Sequence, residues 1–444
     1  MVVVAAIAMV VAADVIAGKF FVTALTAKRA TDPVALFFGS SSVGYTASKI
    51  VAFMERFFAT CPRGLELLLA DELRSLGAEK VHGVGGGVQF VGEFFLCCRV
   101  NLESRLASRV LWQVTAGRYG NEEDIYRAAF AVPWSQWFDP VCTIRVDVSA
   151  TKSPLTSLNF VTLKIKDAVC DKIRLLSGRR PSVDTRAPDV SIQAHLTDRE
   201  FILYLDTTGE PLFKRGQRQA TGAAPLRENL AAGILRLAGW TPDIPLLDPM
   251  CGSGTILLEA AHMALDIAPG LGRRFACEKL KNFDAHRWRE LVQQCGRRQK
   301  ARVPSPIFGS DLSGDALQAA HTNLVANGVD RVVSLKRADV LEITAPAPHG
   351  IIVTNPPYGV RLGEQQQLAE FYPKLGDVLK RQFSGWRAYL LSADMRLPKL
   401  IRLAASKRTP LFNGALECRL FEYKMVEGGM RNKKPATEAQ RFDD

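Results

Sequence analysis

Short apolar runs alternate with helical patterns through the C-terminal half of the chain. The runs lie at 246–247, 307–308, 332–335 and 351–353, and a polar residue follows each of them closely. A longer segment, at 266–305, separates the first two repeats. Strands that alternate with helices in this way predict a doubly wound parallel sheet, with the polar residues gathered at the carboxyl ends of its strands.

The N-terminal half shows a mixed pattern of strands and helices. The predicted elements are helices over 65–76, 94–108 and 160–176, and strands around 144–148, 190–196 and 201–205. The last four of them make residues 141–206 a βαββ unit, an α+β module without the Gly-rich turn of a dinucleotide site. Two interpretations remain for the cations of its helix: contact with an RNA backbone, or a solvated helix face. These cations are Lys164, Lys166, Lys172 and Arg174.

Length and composition indicate more than one domain and favour a polyanionic partner. A chain of 444 residues is too long for one ordinary core, so two or three domains are expected. The formal net charge of +12 and the pI of about 9.3 favour a polyanionic partner, although a solvated basic surface has the same composition. The nine cysteines form no CxxC pair and the histidines are isolated. We therefore expect reduced thiols, no metal site and a cytoplasmic location.

The two ends of the chain stand apart from this organisation. Residues 1–25 are almost wholly apolar, but no positive charge precedes them as in a secretion signal, and Asp14 and Lys19 interrupt a longer span. We expect residues 1–53 to be an extension outside the folded core that does not enter a membrane. Residues 427–444 are expected to be a flexible tail.

The turn after the run at 246–247 has the composition of a ligand-binding loop. It reads Asp248-Pro249-Met250-Cys251-Gly252-Ser253-Gly254-Thr255. The glycines let the backbone approach a ligand closely, and Asp248 offers a carboxylate to a cationic amino group. The spacing fits neither a phosphate-binding loop nor a dinucleotide fingerprint. A tight structural turn would explain the glycines alone nearly as well.

Acidic residues follow the next two predicted strands. Asp311 comes after the run at 307–308, where a carboxylate can accept hydrogen bonds from both hydroxyls of a ribose. Asp339 comes after 332–335, where contact with an adenine amine and a helix cap are equally open. With the Gly-rich turn, these residues favour a nucleoside ligand at the carboxyl edge of the sheet.

The most specific motif is Asn355-Pro356-Pro357-Tyr358, directly after the apolar strand at 351–353. An exocyclic base amine is a poor nucleophile because its lone pair is delocalised into the ring. If the Asn355 side-chain oxygen and the Pro356 carbonyl accept its two hydrogens, the amine becomes more nucleophilic. The prolines stiffen the loop, and Tyr358 can stack on a base withdrawn from its helix. Prolines that merely end a strand would explain neither Asn355 nor Tyr358.

These motifs resemble those of a known enzyme family. The 248–255 turn and the 355–358 loop are similar to motifs I and IV of class I methyltransferases that modify exocyclic amines. The wider sequence, from about residue 56 to residue 426, resembles the THUMP-domain RNA methyltransferases, nearest the bacterial 23S ribosomal RNA guanine-N2 branch. The further similar segments are 60–66, 183–189 and 214–218.

The resemblance implies the domain order and the cofactor. A ferredoxin-like region at 54–110 and a THUMP RNA-binding domain at 111–207, both α+β, would precede a basic connector at 208–243 and a Rossmann-like methyltransferase domain at 244–426. The cofactor would be S-adenosyl-L-methionine (SAM), bound by Asp248, Met250, Gly252, Gly254, Thr255, Asp311, Asp339 and Asn355. Catalysis would fall to Asn355, Pro356, Pro357 and Tyr358.

The partner implied by the resemblance is structured RNA, and 23S ribosomal RNA in the nearest branch. We expect the cations of the connector to contact its backbone: Lys214, Arg215, Arg218 and Arg227.

Several alternatives stay open. A tRNA guanine-N2 enzyme and an N6-adenine methyltransferase would use the same catalytic loop, because each reaction attacks through an exocyclic amine. A DNA N6-adenine enzyme is disfavoured by the THUMP-like region. A non-catalytic RNA-binding or assembly factor is disfavoured because a decayed pocket should have lost some of the motif residues, and Asp248, Gly252, Gly254, Asp311 and Asn355 are all present.

Overall fold

The computed structural model describes residues 54–215, 226–357 and 362–426, apart from the side chains of 362–365 and 367. The predicted N-terminal extension at 1–53 and the tail at 427–444 lie outside these residues, as do Arg218 and Tyr358. None of the described helices combines the length and the apolar character that a bilayer span requires.

The N-terminal half forms one seven-stranded sheet with helices packed on it. Its strands are β1 (Glu55–Thr60), β2 (Glu79–Val84), β3 (Gly87–Gly92), β4 (Arg109–Arg118), β5 (Ile144–Ala150), β6 (Val190–Leu196) and β7 (Glu200–Asp206). Its helices are α1 (Glu66–Ser75), α2 (Phe95–Glu103), α3 (Glu122–Ala131) and α4 (Leu158–Ser177). The strand order is β2-β3-β1-β4-β7-β6-β5.

The strand β4 joins the two predicted N-terminal domains. It pairs antiparallel with β1 on one side and with β7 on the other. The predicted βαββ unit is confirmed as β5, α4, β6 and β7, whereas β4 and α3 were not predicted. The predicted boundary at 110/111 falls inside β4, so both modules share one continuous sheet.

The predicted helix over 94–108 is wrong at its end, because α2 stops at Glu103. The cause is the buried carboxylate of Glu72, which accepts hydrogen bonds from the Ser104 hydroxyl at 2.8 Å and from the amides of Arg105 and Leu106 at 2.9 and 3.2 Å. These bonds satisfy amides that would otherwise continue the helix, and the chain turns into β4.

The C-terminal half forms a second seven-stranded sheet. Its strands are β8 (Leu246–Asp248), β9 (Ile307–Asp311), β10 (Val333–Arg337), β11 (Gly350–Thr354), β12 (Trp386–Ser392), β13 (Lys407–Asn413) and β14 (Leu416–Lys424). The helices are α5 (Glu228–Leu237), α6 (Thr255–Ala264), α7 (Ala285–Arg298), α8 (Gly314–Ala326), α9 (Leu362–Gln382) and α10 (Leu397–Leu400). The predicted connector at 208–243 therefore contains a helix, α5, which is buried along most of its length.

The second sheet confirms the prediction of a doubly wound parallel sheet. Its order is β10-β9-β8-β11-β12-β14-β13, and the pairs from β10 to β12 are parallel. The antiparallel hairpin of β13 and β14, which closes one edge, was not predicted. The chain runs outward from β8 to β10 and then returns to β11 on the other side of β8. Ligands of open α/β sheets bind in the crevice that such a reversal leaves at the carboxyl ends.

A buried cluster of charges joins the first sheet and its helices, residues 55–206, which we call the N-terminal module, to the second sheet. Glu259 of α6 is fully buried and pairs with Arg215 at 3.1 Å and, at 3.9 Å, with Arg105 from the N-terminal module. Arg215 also donates to the Arg105 carbonyl at 2.9 Å. The predicted RNA contact of Arg215 is therefore wrong, because this guanidinium is 4% exposed and is used inside the protein.

We predict that Glu259→Gln lowers the free energy of unfolding by about 3–5 kcal/mol, since it leaves two buried guanidinium groups without their counter-charge. Asp71→Asn is the matched control, because Asp71 forms an exposed ion pair with Arg74 at 2.6 Å. That control should change stability by less than about 1 kcal/mol. Urea unfolding measures both, and equal small effects would contradict a supporting role for the buried cluster.

Candidate active site

The Gly-rich turn lies between the end of β8 at Asp248 and the start of α6 at Thr255. Gly252 and Gly254 both have left-handed backbone conformations, with φ of +54° and +78°. A Cβ at Gly252 would have no atom within 4 Å, whereas one at Gly254 would lie 3.1 Å from Cβ of Ala320 on α8. The two glycines thus differ: Gly252 borders open space where a ligand can approach, and Gly254 allows close helix packing.

Asp311 ties the end of β9 to this turn. Its Oδ2 accepts a hydrogen bond from the Gly252 amide at 2.9 Å, and its Oδ1 accepts one from the Ser313 amide at 2.9 Å. The residue is half-buried. A carboxylate has about four acceptor positions, so capacity remains for the hydroxyl groups of a ligand.

Asp248 is a buried carboxyl group beside these residues, with 1% of its surface exposed. Burial, together with the negative charge of Asp311, raises the pKa of Asp248 to about 7. The Met250 amide, which donates to its Oδ1 at 3.3 Å, offsets part of this effect. A bound cationic group would favour the ionised form, so this position suits the amino group of a ligand.

Asn355 begins the loop directly after β11, the neighbour of β8. It is half-buried, Pro356 is buried and Pro357 is exposed. The buried Tyr372 of α9 donates its hydroxyl hydrogen to the Pro357 carbonyl at 2.9 Å, and this bond fastens the loop to α9. Tyr358 lies outside the described residues.

The remaining predicted cofactor residues lie along the same edge. Thr255 is buried as the first residue of α6, and Met250 is partly buried within the turn. Asp339 follows β10, where its Oδ1 accepts a hydrogen bond from the Leu341 amide at 2.9 Å. Its neighbour Ala338 donates to the Asp311 carbonyl at 3.2 Å, so these two acidic residues belong to adjacent chain segments.

Asn323 of α8 is a further polar residue at the Gly-rich turn that the sequence motifs did not reveal. The Asn323 side chain is 2% exposed, and its Nδ2 donates to the Ser253 carbonyl in the Gly-rich turn at 3.0 Å. A polar residue among the apolar positions of α8 is a signal for such a contact, but its partner lies 70 residues earlier.

The Cys251 thiol is not suited to nucleophilic catalysis. Burial, with the nearby charges of Asp248 and Asp311, raises the pKa of Cys251 far above its ordinary value, so the thiol stays protonated. A reactive cysteine requires the opposite environment. Within the described residues, no group of three His, Cys, Asp or Glu side chains is arranged to hold a metal ion.

The other predicted RNA-contacting cations have different surroundings. Lys214 is exposed and pairs with Glu210 at 2.9 Å. Arg227 is half-buried, and its guanidinium lies 4.7 Å from the centre of the Phe213 ring. Burial lowers the pKa of Arg227.

Three family models match successive parts of the chain. They are described as an RlmL ferredoxin-like domain at residues 56–111, a THUMP domain at 119–206 and an RMKL-like methyltransferase domain at 215–422. A Synechocystis sp. protein named as an RNA methyltransferase is 40% identical over 370 residues, which cover 83% of this chain and 96% of that protein. The chain belongs to the THUMP-domain class I RNA methyltransferases.

Relatives of this RNA methyltransferase include longer proteins and a solved structure. The ribosomal RNA large subunit methyltransferase K/L of Aeromonas salmonicida is 40% identical over 405 residues, covering 87% of this chain but only 56% of that protein. The chain thus spans about half the length of such relatives. The crystal structure of SMU.472, described as a methyltransferase and complexed with SAH, is 28% identical with a TM-score of 0.77 and covers 84% of this chain and 98% of that one. SAM is the cofactor of the enzyme, and the open side of Gly252 and the buried Asp248 carboxyl fit such a ligand.

The raised pKa of Asp248 predicts that the stability of the folded protein depends on pH. The folded protein keeps a proton on Asp248 between about pH 4 and pH 7 that the unfolded chain loses, so this residue lowers stability as the pH rises through that window. We expect Asp248→Asn to be progressively more stable than the wild type over this range, by up to about 1.4 kcal/mol per pH unit, while losing SAM affinity.

Urea unfolding of both proteins from pH 4 to pH 8 measures this difference. Asp315→Asn, an exposed carboxyl at the start of α8, is the matched control. A stability difference between Asp248→Asn and wild type that does not vary with pH would contradict the assignment of a buried, protonated Asp248.

Proposed function

We propose that the enzyme methylates the exocyclic N2 amine of a guanine in 23S ribosomal RNA. The observation that carries this proposal is the position of the Asn355 loop, which follows β11 next to the carboxyl end of β8 and its Gly-rich turn. This position supports a shared crevice for the proposed amine-binding loop and the proposed cofactor-binding turn. The relatives named as large-subunit ribosomal RNA methyltransferases support the choice of RNA.

The protein's contribution to the reaction is to orient and activate the amine. When bound, SAM supplies a methyl group on a positively charged sulfur. The Asn355 side-chain oxygen and the Pro356 carbonyl accept the two amine hydrogens, which raises the electron density on the nitrogen. Tyr372 fixes the next carbonyl of the loop, so these acceptors are held in place before the substrate arrives. Tyr358 is proposed to stack on the withdrawn base.

Each of the acidic residues predicted to bind the cofactor is assigned to a different part of SAM. We assign the ribose hydroxyls to the remaining acceptor positions of Asp311, the amino group to Asp248 and the adenine amine to Asp339. Gly252 allows the backbone to come close to the ligand, since no side chain fills the space beside it. Met250, Gly254 and Thr255 complete the turn around it.

RNA binding is assigned to the N-terminal module and to cations of the connector at 208–243. Lys214 and Arg227 remain candidates for phosphate contact, and Arg218 is retained as a prediction. Helix α4 contributes less than its composition indicates, because Lys164 pairs with Glu123 at 2.9 Å and Lys172 lies over the Phe130 ring at 5.1 Å. These cations are partly used within the module.

Two other RNA substrates would use the same loop, namely a tRNA guanine and an adenine N6 amine. The ribosomal relatives favour 23S ribosomal RNA over tRNA, and the branch that the sequence resembles favours guanine over adenine. A non-catalytic assembly factor is disfavoured, because Asp311 still holds the Gly-rich turn and Tyr372 still holds the Asn355 loop.

We predict that Asn355→Ala lowers methyl transfer at least about a hundredfold, because an acceptor that acts in the transition state is lost. RNA affinity should stay within a few-fold of wild type. Single-turnover transfer of labelled methyl groups from SAM to 23S ribosomal RNA measures the first quantity, and filter binding measures the second.

Tyr372→Phe provides the matched variant, since it removes only the hydrogen bond to the Pro357 carbonyl. A single hydrogen bond contributes about 1 kcal/mol, so its rate should fall about fivefold. Near-wild-type transfer by a folded Asn355→Ala protein would show that the loop is structural only.

A further inference from the structure

The segment between α6 and β9, which we call the insertion, carries a helix with two distinct faces. Helix α7 packs its Leu291 and Cys295 side chains against Leu102 of the N-terminal module. Residues on its opposite side, such as Arg289 and Arg297, are exposed to solvent. The candidate active site uses neither face.

The cations between residues 285 and 302 of the insertion fall into two groups. Arg287 pairs with Glu93 and lies 4.2 Å from the centre of the Phe95 ring, while Arg298 pairs with Glu103 at 2.7 Å and with Asp266 at 3.4 Å. These two arginines fasten α7 to the protein, so their charges are already compensated.

The second group is uncompensated. Arg289, Arg297, Lys300 and Arg302 are exposed, and none of them forms an ion pair with an acidic residue of the described chain. Between residues 285 and 302 the sequence has one acidic residue, Glu290, which lies 3.7 Å from His286. The large exposed hydrophobic residues of the described chain include none from this stretch. A protein partner would be expected to meet apolar or aromatic residues at its centre, whereas phosphate groups require only cations.

Both ends of the insertion lie at the amino edge of the catalytic sheet, away from the catalytic crevice. The insertion leaves α6 after Ala264 and re-enters the sheet at Ile307, which is the amino end of β9, whereas Asp311 marks its carboxyl end. At about 3.3 Å per residue, β9 alone separates the two edges by roughly 13 Å. An RNA that reaches both edges must therefore extend well beyond the nucleotide being modified.

We propose that Arg289, Arg297, Lys300 and Arg302 form a second RNA-binding surface, which contacts the phosphate backbone of a large folded RNA at the amino edge of the catalytic sheet. This inference rests on the proposed function, because it takes RNA as the substrate. It assigns part of the binding energy to contacts remote from the methylated base and outside the THUMP domain. A short RNA that fills only the crevice would not use this surface.

The test compares two double variants of the full chain in binding to deproteinised 23S ribosomal RNA over a series of KCl concentrations. Arg289→Gln with Arg297→Gln removes two charges from the proposed surface. Lys399→Gln with Lys407→Gln removes the same charge from exposed positions elsewhere in the catalytic domain. Each duplex phosphate contact adds about 0.9 to the slope of log affinity against log salt. The slope of log affinity against log salt should therefore be about 1.8 smaller in magnitude for the Arg289/Arg297 variant than for the wild type. The control variant should keep the wild-type slope, and SAM affinity should stay at the wild-type value.

Short oligouridine should bind wild type and both variants alike. Equal slopes for the wild type and the Arg289/Arg297 variant on 23S ribosomal RNA would overturn the second surface, and so would equal losses in both variants. Failure of the proposed function has a different signature: the wild-type chain itself would show no salt-dependent binding to this RNA.

Discussion

The reversal of strand order between β8 and β11 is the constraint on which the candidate active site depends. Because β9 and β10 lie on one side of β8 and β11 lies on the other, the carboxyl ends of β8 and β11 are neighbours with no strand between them. The Gly-rich turn and the Asn355 loop come from these two ends. Residues more than a hundred positions apart in sequence are thereby placed on either side of one crevice, and Asp311 joins the turn from the adjacent strand.

The second determinant is the union of the N-terminal module with the catalytic sheet. Glu72 ends α2 and also accepts a hydrogen bond from Arg236 of α5 at 3.0 Å, while Glu259 binds guanidinium groups from both halves. Buried hydrophobic residues of the two halves form one continuous cluster. An RNA bound to the N-terminal module, as we propose, would therefore meet the crevice at a fixed distance, as a reaction that depends on orientation requires.

Local patterns predicted much of this arrangement. The strands β8 to β11 follow from apolar runs that end in polar residues, and the βαββ unit follows from alternation and helical spacing. Two predictions failed because the deciding partner is remote in sequence. Arg215 was predicted to contact RNA, but it pairs with Glu259, 44 residues away. The helix α2 was predicted to be too long, because the carboxylate of Glu72 that ends it lies 33 residues before Arg105. A charge count cannot distinguish a buried, paired cation from an exposed one, as Arg215 and Arg297 show.

The most direct test of the central claim is the identity of the methylated nucleoside. The purified chain is incubated with SAM carrying a labelled methyl group and with unmodified 23S ribosomal RNA, and the digested RNA is analysed by mass spectrometry. The account predicts that the label is recovered as N2-methylguanosine and that tRNA treated in the same way takes up none. Label recovered as N6-methyladenosine, or transferred only to tRNA, would contradict it.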